Sequence, residues 1–191
     1  MRDELFIRGD VPMTKSEVRA VSLSKLELNP DSVLYDVGAG TGSVSIEASF
    51  ILREGRVYAI EKKAEAVSLI RANKEKFRAG CLEIAEGSAP EALESLEPPT
   101  HAFIGGTTGS MERVLDGVLL KNPEARVVIN VIALESLAGV LAWLKKHSLA
   151  AEIVQVQISK SRTAGDYHLM AGQNPVYVIS FGGEGGNSFE S

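Results

Sequence analysis

The sequence predicts an α/β fold built on a mostly parallel β-sheet that is closed by an antiparallel hairpin at one edge. Three observations lead to this prediction. Short apolar runs alternate with segments of helical periodicity, a glycine-rich turn follows the first run, and two alternating segments near the C-terminus have no helix between them. Strand–helix alternation implies right-handed crossover connections, which place the strands parallel to one another.

The predicted elements follow one another in a regular order. Five mainly apolar runs are typical of strands covered on both faces, at residues 33–37, 57–60, 82–85, 102–104 and 127–132. Residues 64–73 and 135–144 show the apolar spacing of helices that pack one face onto a sheet. Residues 152–161 and 175–181 alternate instead, so we expect them to pair antiparallel at one edge.

Composition indicates a soluble globular protein, because 45% of the 191 residues are hydrophobic and 24% are charged. We expect one domain at residues 1–182, with a lead-in helical region at 1–29, and a flexible Gly-rich tail at 183–191. No apolar run approaches the ~20 residues of a membrane span, and no signal-peptide pattern opens the sequence. We therefore expect a cytoplasmic protein with no membrane partner.

Charge and cysteine content narrow the functional classes. The formal net charge of −5, from 20 basic and 25 acidic side chains, argues weakly against a nucleic-acid partner. The single cysteine, Cys81, excludes an internal disulfide and leaves too few thiols for a cysteine-based zinc site. We expect no metal site in the protein, and no residue stands out as catalytic.

The sharpest local signal is a glycine-rich loop between the first predicted strand and a helix. It reads Asp36-Val37-Gly38-Ala39-Gly40-Thr41-Gly42. Glycines allow a tight turn and the close approach of a ligand, and a helix start offers free N–H donors. The loop therefore indicates a nucleotide-containing cofactor. A dinucleotide loop needs its third glycine one position later, where this chain has Ser43.

Two further segments flank the same end of the predicted sheet. Glu61 ends the second strand, where a carboxylate can accept hydrogen bonds from both hydroxyls of a ribose. The alternative for Glu61 is a solvated charge at the start of a helix. Ser88 and Ala89 follow the third strand, where a short polar side chain and a backbone amide could face an adenine edge. An ordinary helix cap explains Ser88 equally well.

Together these segments resemble the class I S-adenosylmethionine-dependent methyltransferases, over residues 30–182. The resemblance implies a Rossmann-like sheet of seven strands with an antiparallel last strand, in agreement with the predicted hairpin. It implies S-adenosylmethionine as cofactor, bound by Asp36, Gly38, Ala39, Gly40, Thr41, Gly42, Glu61, Ser88 and Ala89. These methyltransferases usually have an aspartate at the position of Ser88. That difference affects a carboxylate contact to the adenine amine but not the cofactor itself.

The loop after the fourth strand, Phe103-Ile104-Gly105-Gly106, separates classes of methyl acceptor. It lacks the N/D-P-P-Y/F motif of amino-group methyltransferases, and the acidic set of metal-dependent O-methyltransferases is missing as well. The lead-in segment at residues 9–19 reads G-D-V-P-M-T-K-S-E-V-R. With this segment and the glycine loop at residues 105–106, the chain resembles the decarboxylating precorrin or cobalt-precorrin C15-methyltransferases of cobalamin biosynthesis.

That resemblance implies a reaction and a partner. A methyl group passes from S-adenosylmethionine to C15 of a tetrapyrrole at the precorrin-6B or precorrin-7 stage, and the C12 acetate loses carbon dioxide. A free-standing chain suits the cobalt-early route, in which any cobalt belongs to the substrate. The family commonly forms homo-oligomers, and a tetramer is one candidate for this chain.

The same resemblance suggests residues that meet the substrate and cover the cofactor. The substrate carries many carboxylates, so the candidates to bind them are basic residues, namely Arg8, Lys15, Lys160, Arg162 and His168. Gly105 and Gly106 leave space for the macrocycle. The lead-in Thr14 closes over the cofactor in the family; it also fits the N-cap of the following helix.

Two other functions stay open at this point. A tRNA or protein-carboxyl methyltransferase can share the glycine loop, although a tRNA enzyme is expected to be more basic. A non-catalytic binding module of the same fold is the second alternative. Against it, Gly38, Gly40, Gly42 and Glu61 are all present.

Overall fold

A mixed β-sheet runs through the centre of the protein, with helices on both of its faces. The structure is a computed structural model, and it describes residues 1–107 and 109–183. The strands are β1 (Val33–Val37), β2 (Arg56–Glu61), β3 (Leu82–Glu86), β4 (His101–Ile104), β5 (Arg126–Val131), β6 (Glu152–Val156), β7 (Ser159–Ala164), β8 (Tyr167–Gly172) and β9 (Val176–Phe181). The helices are α1 (Ser16–Leu26), α2 (Ser43–Ser49), α3 (Ala64–Phe77), α4 (Met111–Lys121) and α5 (Leu134–Lys146). Apart from Gly183, the predicted tail at 183–191 lies outside the described residues.

The main sheet has the predicted topology. Within the described residues it contains seven strands, in the order β3-β2-β1-β4-β5-β9-β6. The first five of these run parallel, and β9 lies between β5 and β6, antiparallel to both. The mostly parallel sheet with an antiparallel hairpin at one edge is therefore confirmed. The strand order reverses between β1 and β4, where open α/β sheets bind their ligands.

The segment between β6 and β9 differs from the prediction. Residues 152–161 do not form one strand, because β6 ends at Val156 and β7 pairs with β8 in a separate two-stranded ribbon. The ribbon begins where Gln173 closes its base: the backbone N–H of Gln173 donates to the Ile158 carbonyl at 2.8 Å, and Gln157 Nε2 donates to the Gln173 carbonyl at 2.8 Å. Apolar side chains continue to alternate as far as Ile158, past the end of β6 at Val156, so the sequence pattern does not show where β6 ends.

Two apolar cores fill the space between the sheet and its helices. The first lies under α1, α2 and α3, where Leu26, Ile46 and Ile70 are fully buried. The second lies under α4 and α5, where Val118 and Trp143 are buried. Strands covered on both faces need apolar residues at every position, which explains their lack of alternation. Among the helices of the described residues, none combines the length and apolar character needed to cross a membrane.

Candidate active site

A cleft of about 1090 Å³ opens at the carboxyl ends of the parallel strands, beside the point where the strand order reverses. Its walls come from residues 11–15 of the lead-in segment, the glycine loop after β1, the end of β2, the segments that follow β3, β4 and β5, and the start of β9. Ligand sites commonly measure ~300–1,000 Å³. The cleft therefore has room for a nucleoside-sized ligand together with part of a second molecule.

The glycine loop after β1 is shaped by close backbone contacts. Gly38 and Gly40 both have positive φ angles, 75° and 58°, which other residues rarely adopt. A Cβ on Gly38 would lie 2.1 Å from the carbonyl oxygen of Gly106, so the loops after β1 and β4 touch directly. The backbone N–H groups of Gly38 and Ala39 donate to the Ile60 carbonyl at 3.0 and 3.2 Å. These contacts hold the loop against its two neighbouring strands.

The lead-in segment lies over this loop. A Cβ on Gly40 would lie 2.9 Å from the carbonyl oxygen of Pro12, and residues 11–15 line the cleft. Thr14 is among them, as the cover role requires. It does not cap the following helix, because α1 begins at Ser16 and its N-cap residue is Lys15. The helix-cap alternative for Thr14 is therefore wrong.

Glu61 lines the cleft at the end of β2 and is only 8% exposed. One of its carboxylate oxygens accepts a hydrogen bond from the Gly40 N–H at 3.0 Å. The other accepts from the N–H groups of Lys62 and Lys63, both at 2.9 Å. The carboxylate is thus held in place against the glycine loop. The alternative of a solvated surface charge does not describe it.

Asp36, Thr41 and Gly42 do not line the cleft, although the sequence pattern groups them with the cofactor loop. Asp36 Oδ2 accepts hydrogen bonds from the backbone N–H of Ser45, at 3.0 Å, and from its hydroxyl. Gly42 is the N-cap residue of α2, and Thr41 is fully buried. Only the outer part of the turn, Gly38 to Gly40, lines the cleft. Asp36, Thr41 and Gly42 lie beneath it and attach the loop to the start of α2.

The carboxyl group of Asp36 has an unusual environment. It is 1% exposed, and its Oδ1 is a buried atom with no hydrogen-bond partner among the described residues. Burial raises the pKa of this carboxyl to about 6. The hydrogen bonds from Ser45 oppose the rise, and the negative charge of Glu61 adds to it. This carboxyl group therefore titrates near neutral pH, under the floor of the cleft.

Ser88, Ala89, Gly105 and Gly106 line the cleft as predicted from the loops after β3 and β4. Ser88 is not a helix cap, because the short 3-10 turn that follows it begins at Glu91 with Pro90 at its cap position. A Cβ on Gly106 would meet no atom within 4 Å. This part of the cleft is open space.

The basic residues are distributed differently from the prediction. Arg8, Lys160, Arg162 and His168 do not line the cleft, because the last three belong to the exposed ribbon and Arg8 precedes the part of the lead-in that lies over the loop. The cations that do line it are Lys15, Lys62, Lys63 and Arg113.

Three of these cations were missed in the sequence analysis. Lys62 and Lys63 directly follow Glu61 in the sequence, and this adjacency could have predicted that they line the same cleft. Arg113 lies on α4 and pairs with Glu91 at 2.6 Å, and no local pattern marks it. Apolar side chains complete this part of the wall, among them Met111, Ile132 and Val176.

A comparison with protein families identifies the chain. A family model described as a precorrin methyltransferase domain matches residues 4–181. The chain belongs to this family. The match includes both the lead-in segment and the hairpin strands, so the family covers every wall of the cleft.

Individual members of the family agree with this assignment over nearly their full length. The probable cobalt-precorrin-6B C(15)-methyltransferase (decarboxylating) of Pyrobaculum calidifontis is 41% identical over 181 residues, which are 93% of each chain. The cobalt-precorrin-6B C(15)-methyltransferase (decarboxylating) of Salmonella typhimurium is 40% identical over 183 residues, 94% of each chain. The crystal structure of precorrin-6y C5,15-methyltransferase from Geobacter metallireducens superposes with a TM-score of 0.89 at 38% identity, and covers 94% of this chain and 96% of that one.

Proposed function

We propose that residues 1–182 act as one domain that methylates C15 of cobalt-precorrin-6B with S-adenosylmethionine and removes the C12 acetate carboxyl group as carbon dioxide. One observation carries the proposal: the cleft has a glycine-loop half beside Glu61 and an open half beside Gly106, in a chain about 40% identical to enzymes of that name. The two halves suit a nucleoside cofactor and a bulky acceptor.

The glycine-loop half fits the cofactor. Gly38, Ala39 and Gly40 present backbone to the cleft, so that a ligand can approach without meeting side chains. Glu61 already accepts three backbone hydrogen bonds, and the oxygen that accepts from Gly40 retains a lone pair that can accept a ribose hydroxyl. Ser88 and Ala89 are available to the adenine, and Thr14 covers the site. When bound, S-adenosylmethionine supplies an electrophilic methyl group.

The open half fits a macrocycle with carboxylate side chains. Gly105 and Gly106 line this half, Gly106 leaves open space next to the glycine loop, and Met111 and Ile132 offer apolar contacts to the ring. Lys15 and Arg113 line the cleft and are candidate partners for acetate and propionate groups. The sequence also suggested Arg8 and Arg162 for this role. Neither lines the cleft, so each stays a prediction for the part of the substrate that extends beyond it.

The residues of the cleft act mainly by alignment. The acceptor carbon belongs to an electron-rich conjugated ring, so the methyl transfer needs no strong base from the protein. The cleft has to hold the acceptor in line with the methyl group, and such alignment is a large source of rate enhancement. Decarboxylation is favoured where the acetate carboxylate is less solvated while the ring accepts its electrons.

The charge of the chain supports this function over its rivals. A net charge of −5 is unfavourable for a tRNA substrate, and the proposal includes a cytoplasmic protein with no nucleic-acid partner. The non-catalytic alternative is favoured by a lost cofactor site, whereas Gly38, Gly40 and Glu61 are all present and line the cleft.

The proposal also includes a homo-oligomer. Tyr167 and Met170 on the ribbon are 75% and 68% exposed, and Leu169 between them is 46% exposed. Neighbouring apolar side chains of this kind favour association with another protein surface. A second copy of the chain is the partner that the family resemblance suggests.

The first test is a titration of the purified protein with S-adenosylhomocysteine, followed by assays of S-adenosylmethionine consumption. We expect saturable binding, and consumption that depends on added cobalt-precorrin-6B. Bulk tRNA and a mixture of proteins are the control acceptors. Consumption with either of these but not with the precorrin would contradict the proposal, as would a folded protein that fails to bind the cofactor product.

A further inference from the structure

Arg19 is a charged side chain with no exposure to solvent, and it lies outside the cleft. Its guanidinium donates to Asp3 Oδ1 at 3.2 Å, to the Thr14 carbonyl at 2.5 Å and to Glu47 Oε1 at 2.6 Å. The Phe6 ring lies 4.9 Å from the guanidinium carbon. A buried cation is tolerated only where carboxylates and hydrogen bonds compensate for its lost hydration, so this set of contacts holds one geometry strongly.

Asn73 is a second buried polar side chain, and it also bonds both to the N-terminal residues and to the region of the glycine loop. It lies on α3 with no exposure to solvent. Its Oδ1 accepts from the backbone N–H of Ile7 at 2.8 Å, and its Nδ2 donates to the Ile7 carbonyl at 2.8 Å. The same Nδ2 donates to the carbonyl of Thr41 in the glycine loop at 2.9 Å. One side chain therefore joins Ile7, just before the lead-in segment, to the glycine loop.

Both side chains link the same two parts of the molecule. Arg19 attaches Asp3 and Thr14 of the lead-in to Glu47, which lies on the helix that begins at the glycine loop. Asn73 attaches Ile7 to the loop itself. Between these attachments, residues 11–15 form a wall of the cleft and Pro12 touches Gly40.

We propose that Arg19 and Asn73 are positioning residues for cofactor binding, which hold residues 1–15 against the glycine loop so that residues 11–15 form a fixed cover. Neither side chain touches the cleft. Each therefore affects the cofactor only through the placement of Thr14 and its neighbours. This inference rests on the proposed function, because it assumes that the glycine-loop half binds S-adenosylmethionine.

The test compares Arg19→Met and Asn73→Ala with matched controls at the opposite end of the strands. Arg126 is a largely buried arginine that donates to the carbonyls of Lys25 and Gly182, at 2.9 and 3.1 Å, and Asn122 donates to the Pro99 carbonyl at 2.9 Å. Arg126→Met and Asn122→Ala therefore remove similar hydrogen bonds without touching the cover.

Two measurements separate positioning from general destabilisation. The first is the dissociation constant of S-adenosylhomocysteine, measured well below the unfolding temperature of every variant. We expect it to rise roughly tenfold or more in Arg19→Met and Asn73→Ala, because small displacements of positioning groups have large effects. The second is tryptic cleavage at Arg8, which we expect to accelerate in these two variants while the rest of the chain stays resistant.

The controls should unfold at lower temperature but keep the wild-type affinity and the wild-type cleavage rate at Arg8. Should Arg19→Met fail to fold, Asn73→Ala carries the test, since it removes no charge. Wild-type affinity in folded Asn73→Ala would overturn the inference while leaving the proposed function intact. A wild-type protein that binds no S-adenosylhomocysteine would overturn both.

Discussion

Glu61 joins the end of β2 to the glycine loop at the wall of the cleft. Its carboxylate accepts three backbone hydrogen bonds and faces the cleft, so a residue of the same shape but without the charge tests its role. In Glu61→Gln, one acceptor oxygen becomes a donor that opposes a backbone N–H. We expect the affinity for S-adenosylhomocysteine to fall about tenfold or more, as calorimetric titration would measure.

The control for this variant is Glu83→Gln on β3. The Glu83 side chain is 52% exposed and pairs with Arg56, away from the cleft. We expect the Glu83→Gln variant to bind S-adenosylhomocysteine with the affinity of the wild type. Equal affinity in Glu61→Gln would show that the carboxylate only supports the loop.

Asp36 predicts a pH dependence of stability. Its pKa lies near 6 in the folded protein and near 3.8 when exposed. Between these values the folded state keeps a proton that the unfolded state has released, so the stability contributed by this group is lost as pH rises through 6. The difference amounts to up to about 3 kcal/mol, from 1.36 kcal/mol per pH unit.

Asp36→Asn should remove this part of the pH dependence. The free energy of unfolding in urea is measured for both proteins at about pH 4 and at about pH 7. We expect it to fall more in the wild type than in the variant as the pH rises. The other titrating groups are common to the two proteins, and those that do not interact with Asp36 cancel; Glu61 is the neighbour that interacts with it. A difference between them that is the same at both pH values would contradict the raised pKa.

At the scale of elements, the cleft depends on the contact between the loops after β1 and β4. In Gly38→Ala the new methyl group would meet the Gly106 carbonyl at a positive φ angle. We expect unfolding in urea to show a loss of about 2 kcal/mol or more. Gly106→Ala is the control, because its methyl group points into open space and should change stability by no more than about 0.5 kcal/mol. Equal losses would contradict the account of this contact.

Local sequence patterns were sufficient for most of the fold and for the position of the glycine loop and Glu61 at the cleft. Strands covered on both faces appear as unbroken apolar runs, and the loop from Gly38 to Gly42 with Glu61 after the next strand is a pattern of fixed spacing. Such signals lie within a few residues of one another. They can therefore be read without knowing the tertiary structure.

The elements that were missed depend on contacts between distant residues. Arg19 and Asn73 meet partners 5 to 66 positions away. Arg19 ends the lead-in segment at 9–19, but no local pattern shows that its side chain is buried, and nothing near Asn73 distinguishes it from a surface residue of α3. The ribbon of β7 and β8 was concealed because the alternation of β6 continues past Val156. Arg113 enters the cleft only because α4 packs beside the loop after β3.

At the scale of the whole molecule, the exposed ribbon predicts self-association. Tyr167 and Leu169 are two residues apart on β8 and therefore point to one face. We expect the wild type to be a homo-oligomer by light scattering, and Tyr167→Asp/Leu169→Asp to be a monomer of 20.4 kDa. Leu120→Asp is the control, because Leu120 is 86% exposed on α4, and this variant should stay oligomeric. A monomeric wild type would contradict the prediction.

We propose that one cleft joins methyl transfer to loss of a carboxyl group, and analysis of the reaction product distinguishes this coupling from either reaction alone. The protein is incubated with cobalt-precorrin-6B and S-adenosylmethionine carrying an isotope-labelled methyl group, and the product is examined by mass spectrometry and NMR. We expect one labelled methyl group at C15 and the loss of one molecule of carbon dioxide from the C12 acetate. A product methylated elsewhere, or one that keeps all of its carboxyl groups, would contradict this coupling.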